Sequence, residues 1–229
     1  MKKISLLFVL LLFASIFITS CRNDDDPDPP DNGRPGLLTD PGVLIGNING
    51  VSIRWATRNV ALHGTFAPYP HSAGMLFQWN RQQAWNNTDA GTPLNWDNTN
   101  PLSTPGWAPW THGMPCPQGW RMPTVAEFEA LSNEDSEWVV VNGVNGRRFG
   151  SGNNTLFLPA AGMRDSDGVL NSVGTRGSYW SEAMDVVDRA PGEPVPFNPN
   201  ARYLSISNAD PSMNVSARAF GFSVRCVAR

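Results

Sequence analysis

The chain has 229 residues, with 17 Lys or Arg against 20 Asp or Glu, and nine Trp. Lys2 and Lys3 fall in the first twenty residues, which hold no acid, so a chain starting at Cys21 has 15 basic and 20 acidic residues, a net charge of −5, and every one of its cations is Arg. That balance argues against a nucleic-acid partner, for which a basic face supplies the affinity, and against a basic patch for phospholipid headgroups. In chain order, Met1-Lys2-Lys3 precedes an uncharged apolar run from Leu6 to Ile18, then Thr19-Ser20-Cys21. A short basic region, about 7–15 apolar residues and small residues before a cut make a secretory signal over residues 1–20. The run falls short of the roughly 20 residues a membrane-spanning helix needs.

Ile18-Thr19-Ser20-Cys21 resembles a lipobox, which implies a diacylglyceryl group on Cys21 and partnership with a membrane through that lipid. Arg22–Arg34 holds five Asp and no apolar side chain larger than Pro. Such a stretch cannot bury enough surface to fold, so residues 21–42 are expected to be a tether. Asp24-Asp25-Asp26 resembles the surface-export signal of Bacteroidetes lipoproteins, which implies the outer face of the outer membrane.

The folded part is expected over residues 43–229. Residues 43–60 alternate around Asn49-Gly50 and predict a hairpin. Residues 61–115, with Trp79, Trp85, Trp96, Trp107 and Trp110, read as irregular, and a loop region that long is normally functional or structurally idiosyncratic. Thr124-Val125-Ala126-Glu127 is a capping box. It predicts a helix ending near Ser132-Asn133, with Val125, Phe128 and Leu131 as its buried stripe. Trp138–Val141, Thr155–Pro159, Ser178–Ser181, Tyr203–Ser207 and Val215–Ala219 read as strands, Asp165–Gly168 as a turn, and Phe220–Val227 as a closing central strand.

Two cysteines remain beyond Cys21. If a bridge forms in an oxidising compartment, it joins Cys116 to Cys226. Neither has a second Cys or His at ligand spacing, so no metal site is expected. His63, His71 and His112 are scattered and read as solvated or capping residues. Asp165 and Asp167 have calcium-loop spacing over half a motif but lack the terminal Glu. No nucleophile elbow, zinc-protease helix or phosphate loop is present, so neither catalysis nor a cofactor is expected.

Several segments together carry a family resemblance: Ile53–Val60, Phe77-Gln78-Trp79-Asn80, Cys116–Thr124 with Glu127-Phe128 and Leu131, Leu158–Arg164, Gly177–Ser181 and Gly221–Val227. In order and spacing they resemble the Fibrobacter succinogenes major paralogous domain, itself similar to the C-type-lectin-like fold and to formylglycine-generating enzymes. The resemblance covers residues 43–229. It implies an α+β fold: a twisted, mostly antiparallel sheet, one or two helices, a long loop-rich region and termini close together. It also implies the Cys116–Cys226 bridge. A tethered, Trp- and Asn-rich domain points to recognition of an extracellular glycan or surface protein, because aromatic faces stack on sugar rings and amides meet hydroxyls. Trp96, Trp107 and Trp110 are the candidate binding residues, since their neighbours are Pro, Gly, Asn and Thr. The competing readings are a structural envelope subunit and an enzyme of the formylglycine-generating kind, which would need a free thiol at Cys116 or Cys226.

Overall fold

The computed structural model describes residues 39–98, 115–185 and 200–229. The domain opens on the expected hairpin. β1 (Val43–Ile48) and β2 (Val51–Asn59) pair antiparallel across Asn49-Gly50. Both turn residues have positive φ, 53° and 83°, as a two-residue hairpin turn with left-handed central positions requires. Asp40 and Pro41, within the bounds expected for the tether, are described residues that precede the hairpin. Asp40 is buried, and its carboxylate accepts from the Gly42, Thr57 and Arg58 backbone N–H groups, from the Thr57 hydroxyl and from Arg58 Nε. These donors replace the water that the carboxylate loses, so the chain is docked from Asp40 onward.

The stretch expected to be irregular contains two short strands, β3 (Leu76–Gln78) and β4 (Ala84–Trp85), paired antiparallel. All three residues of β3 are buried, so no alternation of apolar and polar positions marks it. β5 (Trp120–Arg121) leads into α1 (Val125–Ser132). Its capping box is closed: Thr124 Oγ1 accepts from the Glu127 N–H at 3.1 Å, and the Glu127 carboxylate accepts from the Thr124 N–H at 2.8 Å. The inward face differs from the expected stripe. It consists of Glu127, Phe128 and Leu131, with Val125 half-buried. Glu127 can turn inward because Arg121 holds both its oxygens, at 2.6 and 2.9 Å. Burial alone would push this carboxyl up, and the hydrogen bonds from Arg121 and Thr124 outweigh it and hold it below the ordinary range.

β6 (Ser136–Val141), β7 (Val144–Ser151) and β8 (Asn154–Pro159) form a three-stranded antiparallel sheet. β9 (Met163–Arg164) and β10 (Leu170–Asn171) flank the Asp165–Gly168 turn, which is closed by Gly168 N–H donating to the Asp165 carbonyl at 3.0 Å. β11 (Gly177–Met184), β12 (Asn200–Ile206) and β13 (Ser212–Ala217) make a second three-stranded sheet. β14 (Gly221–Phe222) and β15 (Arg225–Ala228) end the chain.

The expected central strand over Phe220–Val227 is therefore two strands in two sheets. β14 is the middle member of the order β10-β9-β14-β3-β4, and β15 lies between β2 and β5 in the order β1-β2-β15-β5. Between them Ser223 N–H donates to the Ser178 carbonyl, and the Val224 carbonyl accepts from the Val60 N–H. One short segment thus changes partners twice, and every residue from Gly221 to Val227 is buried. The described residues build four small antiparallel sheets rather than one, with a single helix, and the switch from β14 to β15 links two of those sheets. β1 and β15 both pair with β2, so the start and end of the domain meet on one sheet.

Two apolar clusters fill the interior. One gathers Trp55, Phe128, Leu131, Phe149, Leu158, Tyr179 and Leu204 between α1 and the sheets, and the other gathers Phe77, Trp79, Trp180, Phe222 and both bridged cysteines. Trp55, Trp79 and Trp180 are wholly buried, and each indole N–H reaches a carbonyl: Ile45, Ser181 and Phe77 respectively. That pairing is what allows so many indoles to be core residues.

Candidate functional site

Residues of Ile53–Val60, Leu158–Arg164, Gly177–Ser181 and Gly221–Val227 meet in one buried polar network. Asn59, at the end of β2, donates through Nδ2 to the Ala73 carbonyl (2.8 Å) and to Tyr179 Oη (3.4 Å). Tyr179 Oη donates to the Pro159 carbonyl at 2.6 Å. Asn59 Oδ1 accepts from Arg225 Nε at 2.9 Å, and the other guanidinium nitrogens donate to the Ala56 and Phe157 carbonyls, both at 3.0 Å. Burial drives the Tyr179 hydroxyl up to about 12 and lowers the Arg225 guanidinium to about 10. Both therefore keep their ordinary protonation at neutral pH, and neither is poised for proton transfer there.

This network holds up the floor of a cleft. Ala73 and Pro159, which it anchors by their carbonyls, adjoin an open cavity of about 350 Å³ lined by His71, Ser72, Ala73, Asn87, Ala160 and Ala161, with Val144, Asn145 and Val173 completing the wall. Ladder-like bonds tie the walls together: Asn145 Nδ2 to the Gly174 carbonyl, Gly174 N–H to the Ala160 carbonyl, and Ala160 N–H to the Asn145 carbonyl, each 2.8 Å. His71 is stacked on Tyr69 with ring centroids 5.3 Å apart and planes 6° from parallel, and its Nδ1 lies 3.3 Å from Asn142 Nδ2. Among the described residues, no Asp, Glu, Lys or Arg lines the cleft. What it offers is amide, hydroxyl and imidazole groups over small apolar side chains. Its volume is at the low end of the roughly 300–1,000 Å³ of ligand clefts.

The loop carrying Asn87 is fixed by another buried guanidinium. Arg164, wholly buried, donates to the carbonyls of Asn86, Asp89, Gly91 and Gly168 at 2.7–3.1 Å. Burial lowers its pKa. Arg164 and Arg225 are not among the residues expected from the sequence to bind. Their visible mark was a cation inside an apolar run, within Leu158–Arg164 and Gly221–Val227.

Of the three Trp expected to bind, Trp96 lies within the described residues and Trp107 and Trp110 lie outside them. Trp96 is half-buried and packs edge-on against Trp85 at 4.8 Å. Its Nε1 donates to the Ser166 carbonyl at 2.8 Å, and its ring covers Gly221 so closely that a methyl there would sit 2.8 Å from it. Its donor and one edge therefore serve the loop region's own packing. Trp96 does not line the cleft, and His71 and Asn87, which do, were not among the expected binders.

Cys116 and Cys226 form a disulfide. Cys21 and His112 lie outside the described residues. Asp165 acts as a turn-former: Oδ1 accepts from the Asp167 and Val169 N–H groups and Oδ2 from Asn171 Nδ2. Among the described residues no group of three or more His, Cys, Asp or Glu is placed to hold a metal ion. No helix there is long and apolar enough to cross a membrane. Set against protein-family models, curated proteins and solved structures, the chain matches none of them.

Proposed function

We propose that this chain is a non-catalytic recognition module of the C-type-lectin-like kind, carried on the bacterial surface by a lipid on Cys21 and binding a neutral extracellular glycan in the cleft at His71 and Asn87. The observation that carries the reading is that cleft: free of Asp, Glu, Lys and Arg among the described residues, lined by amides and an imidazole, and tied through its walls to a buried network. Neutral hydroxyl-bearing rings suit such a lining, since amides both donate and accept. The bridge engages both thiols that a formylglycine-generating enzyme would need, which supports the non-catalytic reading.

The binding arm is tested with the full chain, solubilised in mild detergent, on a broad glycan and mucin panel with and without calcium. A saturable hit is expected, weakened by His71→Ala and by Asn87→Ala about fivefold each, the equivalent of one lost hydrogen bond of roughly 1 kcal/mol. A folded protein that binds nothing on the panel, or a hit untouched by both substitutions, removes the cleft from consideration. The anchoring arm is read in cells. Protease added to intact cells is expected to remove the domain, and palmitate label is expected to disappear in Cys21→Ala. Protection from protease would place the domain elsewhere, and label retained by the variant would overturn lipidation at Cys21.

One observation favours a second reading, a subunit of a surface assembly. β6, reading SEWVVV, pairs with β7 on one side and has no strand on its other side among the described residues, and Val140 on it is 63% exposed. Unpaired, β-rich edges accept added strands. Stoichiometric co-purification of an envelope protein by a chain that binds no glycan would select this reading.

A further inference from the structure

The Phe77-Gln78-Trp79-Asn80 segment carries a feature that the cleft does not use. Trp79 is wholly buried directly after β3, and the positive φ of Asn80, 60°, turns the chain so that Arg81 follows at once. Arg218, the residue after β13, lies over the Trp79 ring, its guanidinium carbon 4.6 Å from the centroid. The Trp79 backbone N–H donates to the Arg218 carbonyl at 3.1 Å, fixing the two residues together. Arg81 pairs with Asp97 at 2.6 Å. Arg218 has no ion pair among the described residues, and its Nε is shut off from water without a hydrogen-bond partner.

Of these two guanidiniums, only that of Arg81 is paired with a carboxylate among the described residues. They are close enough to sense each other: burial lowers the pKa of Arg218 and the charge of Arg81 lowers it further. The indole strips water from one face of the Arg218 fork, and the side chain as a whole is half-buried. A partly desolvated planar fork with a neighbouring cation suits a planar anion that can accept two parallel N–H bonds. On a mature chain of net charge −5, this local excess of positive charge is not explained by the general surface.

We propose that Arg218, laid flat on Trp79 and seconded by Arg81, is a carboxylate-binding subsite. The carboxylate binds end-on across Nη1 and Nη2 of Arg218, and Arg81 adds long-range attraction while remaining bound to Asp97. The residues involved are distinct from those of the cleft, so either site can fail without the other.

The test is a titration of the full chain in detergent with sodium acetate and with D-glucuronate at fixed ionic strength, against D-glucose and sodium chloride, read by the ¹⁵N resonances of the Arg Nε–H groups. One resonance, assigned by its loss in Arg218→Gln, is expected to shift saturably with either carboxylate and not with glucose or chloride. Arg81→Gln is expected to weaken binding about threefold, and Arg218→Lys about tenfold, because an ammonium keeps the charge without the fork. Equal affinity for acetate and glucuronate would mean that the carboxylate alone is recognised. Tighter binding of glucuronate would mean that the sugar ring adds contacts, and both outcomes support the subsite. No saturable shift, a shift reproduced by chloride, or one that persists in Arg218→Gln overturns it. If Arg218→Gln fails to fold, the comparison of carboxylate with chloride on the natural chain still decides.

Discussion

Replacing Arg225 by Met is expected to lower stability by about 3–5 kcal/mol, the cost typical of breaking a buried charged network by removing one partner. In a domain of this size that corresponds to a fall in Tm of roughly 6–20 °C, at about 2–4 °C per kcal/mol. Met keeps much of the side-chain volume, so the loss would come from polarity rather than from a cavity. Three acceptors would be left without a donor inside the core: Asn59 Oδ1 and the carbonyls of Ala56 and Phe157. Each unsatisfied buried group costs about 1–3 kcal/mol, reduced where the structure can relax. Arg225→Lys is expected to recover little, since one ammonium cannot reach acceptors on β2 and β8 together. Arg148→Met is the control. Arg148 pairs with Glu137 on the surface, where both side chains are largely exposed, and such pairs are worth about 0–1 kcal/mol. Thermal unfolding followed by circular dichroism checks the series. A change in Arg225→Met no larger than in Arg148→Met would show that the buried guanidinium does not organise the core.

Reducing the Cys116–Cys226 bridge is expected to cost a comparable amount for a different reason. The two cysteines are 110 residues apart in sequence, and closing a loop of that length removes denatured-chain entropy worth up to about 4.7 kcal/mol. The loop includes every strand from β5 to β14, and Cys226 lies within β15, which is paired on both sides. The loss would therefore arise mainly in the unfolded state, with little change in the native sheets. Urea unfolding with and without reductant, and of the double variant Cys116→Ala with Cys226→Ala, would show a lower midpoint. The native near-ultraviolet spectrum of the variant should be retained before the transition. An unchanged midpoint with full alkylation of both thiols would mean that the bridge is dispensable.

Much of the architecture was legible wherever a local rule has only one solution. Asn49-Gly50 between alternating segments permits little other than a tight hairpin, and Thr124 with Glu127 marks a helix start whose two hydrogen bonds are within one turn of chain. The Asn142-Gly143 pair, with φ of 47° and 76°, is the same turn signal. It lies between the β-rich run ending at Val141 and β7, and it marks the start of β7. β3 and the split of the final strand were not legible, because strands buried on both faces lose the period-two pattern and a segment can change partners without any change in its own composition. Val125 was placed inside by spacing alone. Glu127 took that position because Arg121, brought near by the turn into α1, supplied the donors that make a buried carboxylate tolerable.

The sites divide along the same line. Residue types alone singled out Trp96 by its Pro, Gly and Asn neighbours, and the fold uses that indole's N–H on Ser166 and its ring over Gly221. His71 and Asn87 had no mark in the sequence, since a lone His or Asn in a loop is ordinary. They face one cleft because Asn59 and Tyr179 hold the carbonyls of Ala73 and Pro159 and Arg164 fixes the loop that carries Asn87.

What the sequence determined by itself is local: the tight turns, the capped helix, the set of indoles and aliphatics that must leave water, and the one cysteine pairing open to the folded part. Each follows from interactions among residues a few positions apart, or from the cost of hydrating apolar surface. What only the tertiary structure decided is which polar groups travel inward with that core. Arg164 and Arg225 are buried because carbonyls from separate strands and loops converge on them, and the directions of those carbonyls are set only once four sheets have packed together.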